Sequence, residues 1–211
     1  GALARLVRGD GVHASLVRDW AAFALGRIGP GAAEAVPDLV ATRADANPGL
    51  RLQCRHALRR IGPAAPSELP RLEPLLSHEA WRVRAEAARA IGAIGPGAVS
   101  AATSLVRAAN DEQDGVRAAA AEALGRSGAS DADSVAALRD LLGDDVLRVR
   151  IAAIEALGRL GPASAPAVEA LAERLARGGY GEKMRVRPAL EAIGTPAARD
   201  ALAAAGAAPR E

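Results

Sequence analysis

Aromatic side chains are scarce in this sequence: two Trp, one Tyr and one Phe make up 2% of 211 residues, although half the chain is hydrophobic by residue class. A core without large rings has to be built from small and medium side chains on closely approaching helices, and the abundance of alanine points the same way. Cys54 is the single cysteine, which excludes an intrachain disulfide and a cysteine-based metal cluster within this chain. Charge of one sign is also lacking. The 27 basic and 25 acidic residues leave +2, and the pI of 9.3 mainly reflects arginine, which is every basic residue except Lys183. Bulk attraction to a polyanion or to a membrane surface is therefore excluded. No run of 18 apolar residues is free of charges, which excludes a membrane-spanning helix, and residues 1–20 do not have the layout of a signal peptide. The expected location is the cytoplasm. The sequence opens at Gly1, inside a repeat, so an export signal further upstream is left open.

What the sequence does contain is a period. Val17-Arg18, Leu50-Arg51, Val83-Arg84, Val116-Arg117 and Val149-Arg150 recur every 33 residues, and Glu182-Lys183 keeps the cation in the next slot. The same spacing aligns Ala24, Ala57, Ala90, Ala123, Ala156 and Ala189, then Leu25, Leu58, Ile91, Leu124, Leu157 and Leu190. Ala21, Cys54, Ala87, Ala120 and Ala153 lie three residues earlier, and Ile28, Ile61, Ile94, Ser127, Leu160 and Ile193 lie three residues later. Together they trace the i, i+3, i+4, i+7 stripe of an amphipathic helix, with Ser127 its one polar member. Gly29, Gly62, Gly95, Gly128, Gly161 and Gly194 end that first helix, and a proline follows four of them. A second helix is predicted just beyond, with Val36, Leu69, Ala102, Val135 and Val168 preceding Leu39, Leu72, Leu105, Leu138 and Leu171 on its stripe. The leucine column extends back to Leu6, so residues 1–14 are expected to hold the second helix of a truncated repeat. Full repeats then start near 15, 48, 81, 114, 147 and 180. The whole chain, 1–211, reads as one all-α, right-handed α-solenoid of stacked two-helix repeats.

Period alone does not choose between repeat families. The T-P-L-H-x-A run of ankyrin and the W-x-x-L-G-x-x-Y pattern of the tetratricopeptide repeat are missing. The segments VRDWAAFALGRIGPGAAEAVPDL (17–39), VRAEAARAIGAIGPGAVSAATSL (83–105) and VRIAAIEALGRLGPASAPAVEAL (149–171) resemble the short HEAT-type repeat named after phycobilisome lyases. That resemblance implies an α-solenoid used mostly for protein association, with branches in bilin attachment, nucleic-acid handling and metal-dependent hydroxylation.

The repeat also sorts candidate residues. The ladder Arg18, Arg51, Arg84, Arg117, Arg150 and Lys183 is expected to be structural, each cation bridging to carboxylates in the preceding loops: Asp45, Glu79, Asp111, Glu112, Asp144 and Asp145. A second row, Arg27, Arg60, Arg126 and Arg159, ends the first helices and complements their dipoles. Trp20 and Phe23 stand in columns otherwise filled by Gln53, Glu86, Ala119 and Ala152, and by His56, Arg89, Glu122 and Glu155, which reads as solvent-facing. Two rings there form an apolar patch, covered either by sequence preceding residue 1 or by a partner. Trp81, Leu147 and Tyr180 share one expected inter-repeat loop column with Ser15, Pro48 and Asp114, and Trp81 and Tyr180 are candidate contacts because such side chains dominate interfaces. The inner surface is expected to expose Asp38, Arg71, Arg107, Asp140 and Glu173, with Arg71 and Arg107 candidate contacts for a polar protein.

Catalysis has little to stand on. His13, His56 and His78 fall in unrelated columns, and Gly178-Gly179-Tyr180-Gly181 lacks the tail of a phosphate loop and reads as a flexible loop. No catalytic residue, cofactor or metal site is expected. The last repeat is atypical: Glu182 replaces Val, Pro188 is expected to interrupt its first helix, and Glu191 takes a glycine slot, as suits a closing copy. The expected role is a non-catalytic protein-interaction scaffold or regulatory domain that binds another protein or another domain of a longer chain. The alternatives are a bilin-lyase-type accessory subunit and a nucleic-acid-binding solenoid.

Overall fold

A computed structural model of the protein describes residues 1–9 and 15–207; His13 and the last four residues of the expected closing copy lie outside the described residues. Every regular element among the described residues is a helix. The chain divides into two compact units, Gly1–Ala101 and Ala102–Glu211.

The first unit contains α1 (Ala2–Arg8), α2 (Ser15–Ile28), α3 (Val36–Ala41), α4 (Pro48–Ile61), α5 (Leu69–Leu72) and α6 (Trp81–Ile94). The start of α4 shows the local logic. The Asn47 side chain accepts hydrogen bonds from the Gly49 and Leu50 N–H groups, Pro48 takes the first helical position, and Gly62 ends the helix at φ 83°. Every glycine of that terminating column has φ between 60° and 83°, which an L side chain rarely adopts. The link to the second helix is longer than the predicted tight turn. Gly29–Ala35 and Gly95–Ala101 are 3-10 turns, and the α-helical parts that follow are correspondingly short. The second unit contains α7 (Ala102–Ala108), α8 (Asp114–Ser127), α9 (Ala132–Asp140), α10 (Leu147–Leu160), α11 (Val168–Arg177), α12 (Tyr180–Ile193) and α13 (Pro196–Ala207).

Packing follows the two stripes. Leu39, Leu72, Leu105, Leu138 and Leu171 are fully buried, as are Cys54, Ala87, Ala120 and Ala153. Ser127, the polar member of its column, is also buried and donates its hydroxyl hydrogen to Leu124 O at 3.1 Å. That column is less uniform than the sequence pattern predicts, because Ile28 is exposed. First helices lie directly against one another where glycine meets alanine. A Cβ on Gly26 would fall 3.0 Å from Ala57 Cα, one on Gly125 2.6 Å from Ala156 Cα, and one on Gly158 3.0 Å from Ala189 Cα. So α2 packs on α4, α8 on α10, and α10 on α12.

The stack in the first unit is broken once. The slot of Gly26 is Arg59 in α4, and α6 packs chiefly against α3, the turn Thr42–Ala44 and the segment Glu73–Ser77 rather than along α4. Arg43, in that turn, donates to Arg51 O of α4 and lies 3.5 Å from a Glu86 carboxylate oxygen of α6. A bulky charged side chain excludes the close approach that glycine permits, so the neighbouring helix seats elsewhere.

Two local expectations are corrected. Pro188 does not interrupt its helix: α12 runs unbroken from Tyr180 to Ile193, with Pro188 at an exposed position where the lost N–H bond faces water. The four residues 178–181 are not a loop. Gly178 is buried and caps α11, while Tyr180 and Gly181 already belong to α12. A Cβ at Gly178 would collide with Arg174 O, so close backbone approach explains the glycine.

Candidate interaction surfaces

The five ladder arginines are spent inside the protein. Arg51 donates to the Asp45 and Ala46 carbonyls, Arg84 to those of His78 and Glu79, Arg117 to those of Asp111 and Glu112, and Arg150 to those of Asp144 and Asp145. The preceding loop thus supplies backbone oxygens rather than carboxylates. The carboxylate comes from the following repeat: Asp45 for Arg18 at 2.6 Å, Asp144 for Arg117 at 2.7 Å and Glu182 for Arg150 at 2.8 Å. One guanidinium fork satisfies two loops at once, a geometry that a point-charge ammonium cannot provide. The Lys183 side chain makes no hydrogen bond or ion pair among the described residues, and only its backbone N–H is bonded, to Gly179 O at 3.0 Å. Hydrogen bonds from Arg150 hold the Glu182 carboxyl below its ordinary range against the opposing effect of burial. Burial alone would push Asp144 up, but hydrogen bonds from Arg117 and the Val146 N–H, with the charges of Arg117 and Arg150, bring it down. Glu182, the departure from valine, is therefore the buried anchor of the last rung.

Trp20 and Phe23 meet edge to face, with ring centroids 5.6 Å apart and planes at 87°. Trp20 is 66% exposed and Phe23 41%, and Leu16 extends the same helix face at 69%. Their surroundings are not those of plain solvent-facing columns, because Ala119 is buried and Gln53 and Glu86 are half-buried. The Trp20 column faces the preceding repeat, as shown by Arg185, its last member, which pairs with Glu155 of α10. Trp81 and Tyr180 are not loop residues. Each is the first residue of its helix, like Pro48, Asp114 and Leu147. Trp81 is covered in part by Arg82, whose guanidinium carbon lies 4.7 Å from the ring centroid, whereas Tyr180 is 82% exposed.

On the second-helix side of the first unit, Asp38 is buried rather than exposed. Arg8 at 3.3 Å and Arg71 at 3.0 Å clamp its carboxylate, and Arg71 also holds Glu68 at 2.7 Å and Glu34 O at 3.0 Å. These side chains, with Gly1, Ala4 and Arg5, line a polar pocket of about 360 Å³. Arg71 is thus a positioned contact, not a free one. Arg107, Asp140 and Glu173 are exposed in the second unit. There, Glu155, Arg159, Arg185, Pro188 and Ala192 rim a groove of about 410 Å³ above the Gly158–Ala189 contact.

Outer cations are treated differently in the two units. In the second, Arg126 pairs with Glu122, Arg159 with Glu155, Arg148 with Asp114 and Arg185 with Glu155. In the first, Arg27, Arg55, Arg59 and Arg60 form no ion pair among the described residues, and all are exposed. Three residues of α4 escape the sequence reading altogether. Leu52, Arg55 and Arg59 stand where α6 buries Ala85, Ala88 and Gly92, and the signal that finds them is the 33-residue step applied to Asp19, Ala22 and Gly26. No group of three or more potential metal ligands, and no helix long and apolar enough to cross a membrane, occurs among the described residues.

The chain matches the family model for HEAT repeats over residues 41–125 and 105–187, and the model for the PBS lyase HEAT-like repeat over 17–42. No curated protein matches at a significant level. Among solved structures, a chain of the complex of CpcE and CpcF of phycocyanin lyase from Nostoc sp. PCC7120 is 26% identical, with 95% of this chain and 80% of that one covered and a TM-score of 0.55. A designed armadillo repeat protein in complex with the peptide (KR)4 is 19% identical, covering 92% and 100%, with a TM-score of 0.64. An engineered protein at 24% identity covers 92% of this chain and 98% of its own, also at 0.64.

Proposed function

Because the chain belongs to the HEAT-repeat family, we propose that it is a non-catalytic scaffold that binds another protein, or another domain of a longer chain, through the apolar face of α2. The single observation behind this reading is the exposed edge-to-face pair of Trp20 and Phe23 with Leu16 beside it, on a molecule that has only four aromatic residues. Apolar side chains of that size gain from being covered, and aromatic anchors supply most of the affinity of an interface. The five ladder arginines are bonded within the protein, which supports a structural role for them. Trp81, Tyr180, Arg71 and Arg107 complete the set of proposed contacts.

Affinity capture compared between the wild type and Trp20→Ala/Phe23→Ala tests this. A protein retained by the first and lost by the second, at equal melting temperature, is the expected result. Identical captured sets would remove α2 as the site. A second reading rests on the likeness to the phycocyanin lyase complex, and makes the chain an accessory subunit of bilin chemistry. It requires an altered visible absorbance of phycocyanin on mixing with the protein and its partner subunit, and an unchanged spectrum would dismiss it.

A further inference from the structure

The forward face of α4, the side that other first helices turn toward the next repeat, is not built for burial. In that column Ala22, Ala88, Ala121 and Ile154 are fully buried, but α4 has Arg55; the glycine slot holds Arg59; and Leu52, one turn earlier, is 42% exposed. The same three slots in α12, the last such helix, hold Met184, Arg187 and Glu191, all exposed. In its surface chemistry, α4 is therefore an end helix placed in the middle of a stack. Since α6 seats against α3 and the turn Thr42–Ala44, that face stays uncovered.

Leu52, Arg55, His56, Arg59 and Arg60 fall at i, i+3, i+4, i+7 and i+8, a single helical face with no carboxylate among them. The three arginines form no ion pair among the described residues, although every exposed arginine named above on the first helices α8, α10 and α12, apart from Arg187, has a carboxylate partner. We propose that this face is a second docking site, whose occupant is an acidic amphipathic segment of a protein partner that sets an aliphatic side chain on Leu52 and carboxylates on Arg55, Arg59 and Arg60. Charge complementarity selects the occupant: three unpaired guanidiniums offer bidentate geometry for carboxylates, and the leucine among them suits a peptide better than a phosphate chain. The patch runs only about 12 Å from Leu52 to Arg60, about two turns of helix, while polyanion tracks need cations spread over many phosphates. This goes beyond the α2 reading and involves none of its residues.

Fluorescence anisotropy with a labelled synthetic helix bearing Glu and Leu on one face tests the proposal on the whole chain. Micromolar binding is expected, weakened at least about tenfold by Arg55→Glu/Arg59→Glu and less by Leu52→Ser or by Arg55→Lys/Arg59→Lys, which keeps the charge but loses the bidentate fork, with circular dichroism and melting temperature unchanged in all three. No binding by the wild type, or equal binding by the charge-reversed variant, overturns it. Tighter binding of a short DNA duplex, lost steeply as salt rises, also overturns it, in favour of nucleic acid. A concentration-dependent dimer abolished by Arg59→Glu overturns it in favour of a second copy. The α2 scaffold reading stands or falls on Trp20 and Phe23 alone, so either result leaves that test intact.

Discussion

Cys54 is fully buried, and burial pushes its thiol up to about 12 despite the opposing charges of Arg43 and Arg18. The thiolate is the reactive form, so native Cys54 should be inert. Iodoacetamide at mildly alkaline pH is expected to alkylate the folded protein at least about a hundredfold more slowly than the unfolded chain, because reaction has to await local opening. Comparable rates measured by intact mass would show that the core here is loose. At this scale the sequence is a good guide wherever a column sits mid-helix: the alanine column that contains Cys54 was enough to place it inside. It is a poorer guide at helix ends. Ile28 and Ile61 are chemically identical and 33 residues apart, yet only Ile61 is buried. The Ile28 side chain lies over its own turn, close to where a Cβ on Gly31 would be, and its burial depends on neighbours that a column does not encode.

For the helices as elements, one residue decides how closely two of them approach. In Gly125→Val a Cβ would sit 2.6 Å from Ala156 Cα with backbone and side chain in the way, so α8 and α10 would have to separate. Overpacking of this kind costs about 1–3 kcal/mol. Arg59→Ala, at the matching slot of α4, removes an exposed side chain and is expected to stay within about 0.5 kcal/mol. Urea unfolding of both variants checks the pair, and equal effects would mean that the slot does not govern stacking. The repeat, its glycine ends and its first-helix starts were legible as spacing. The break between α4 and α6 was not, although Arg59 stands in plain view, because a single bulky residue redirects a neighbour only through three-dimensional competition for space. The partners of the ladder were half legible for a similar reason. Spacing puts carboxylates near each arginine, but at Arg150 the backbone oxygens of the preceding loop take Nη1, and the carboxylate that meets Nε and Nη2 arrives from the following repeat.

Across the whole molecule the same rungs set the response to acid. Asp45, Asp144 and Glu182 are all held below their ordinary values, by the Asn47 N–H and then Arg18 at Asp45 and by arginine first at the other two, and Asp131, which caps α9, is lowered by the Ser134 hydroxyl and backbone N–H groups. A depressed folded-state value means that the stabilisation is complete above the unfolded value, about 4, and is lost as pH falls through the folded one. The melting temperature is therefore expected to be flat from neutrality to about pH 5 and to fall steeply below about pH 4. Asp144→Asn/Glu182→Gln should start lower at neutral pH and fall less steeply, and parallel curves would show that the rungs do not control acid stability. Candidate interaction residues were legible mainly by exception: Trp20 and Phe23 stand out because their columns elsewhere are small or polar.

The displaced seat of α6 has one further consequence. A repeat protein resembles a row of coupled spins, in which order spreads through the contact each unit makes with the next. Where α4 turns a charged face outward instead of lying along α6, that coupling constant is small, and α2 with α4 becomes a segment that can lose order by itself. Amide exchange under mild denaturant should then reveal a fraying front that stops at Arg59, rather than one that travels on through α6.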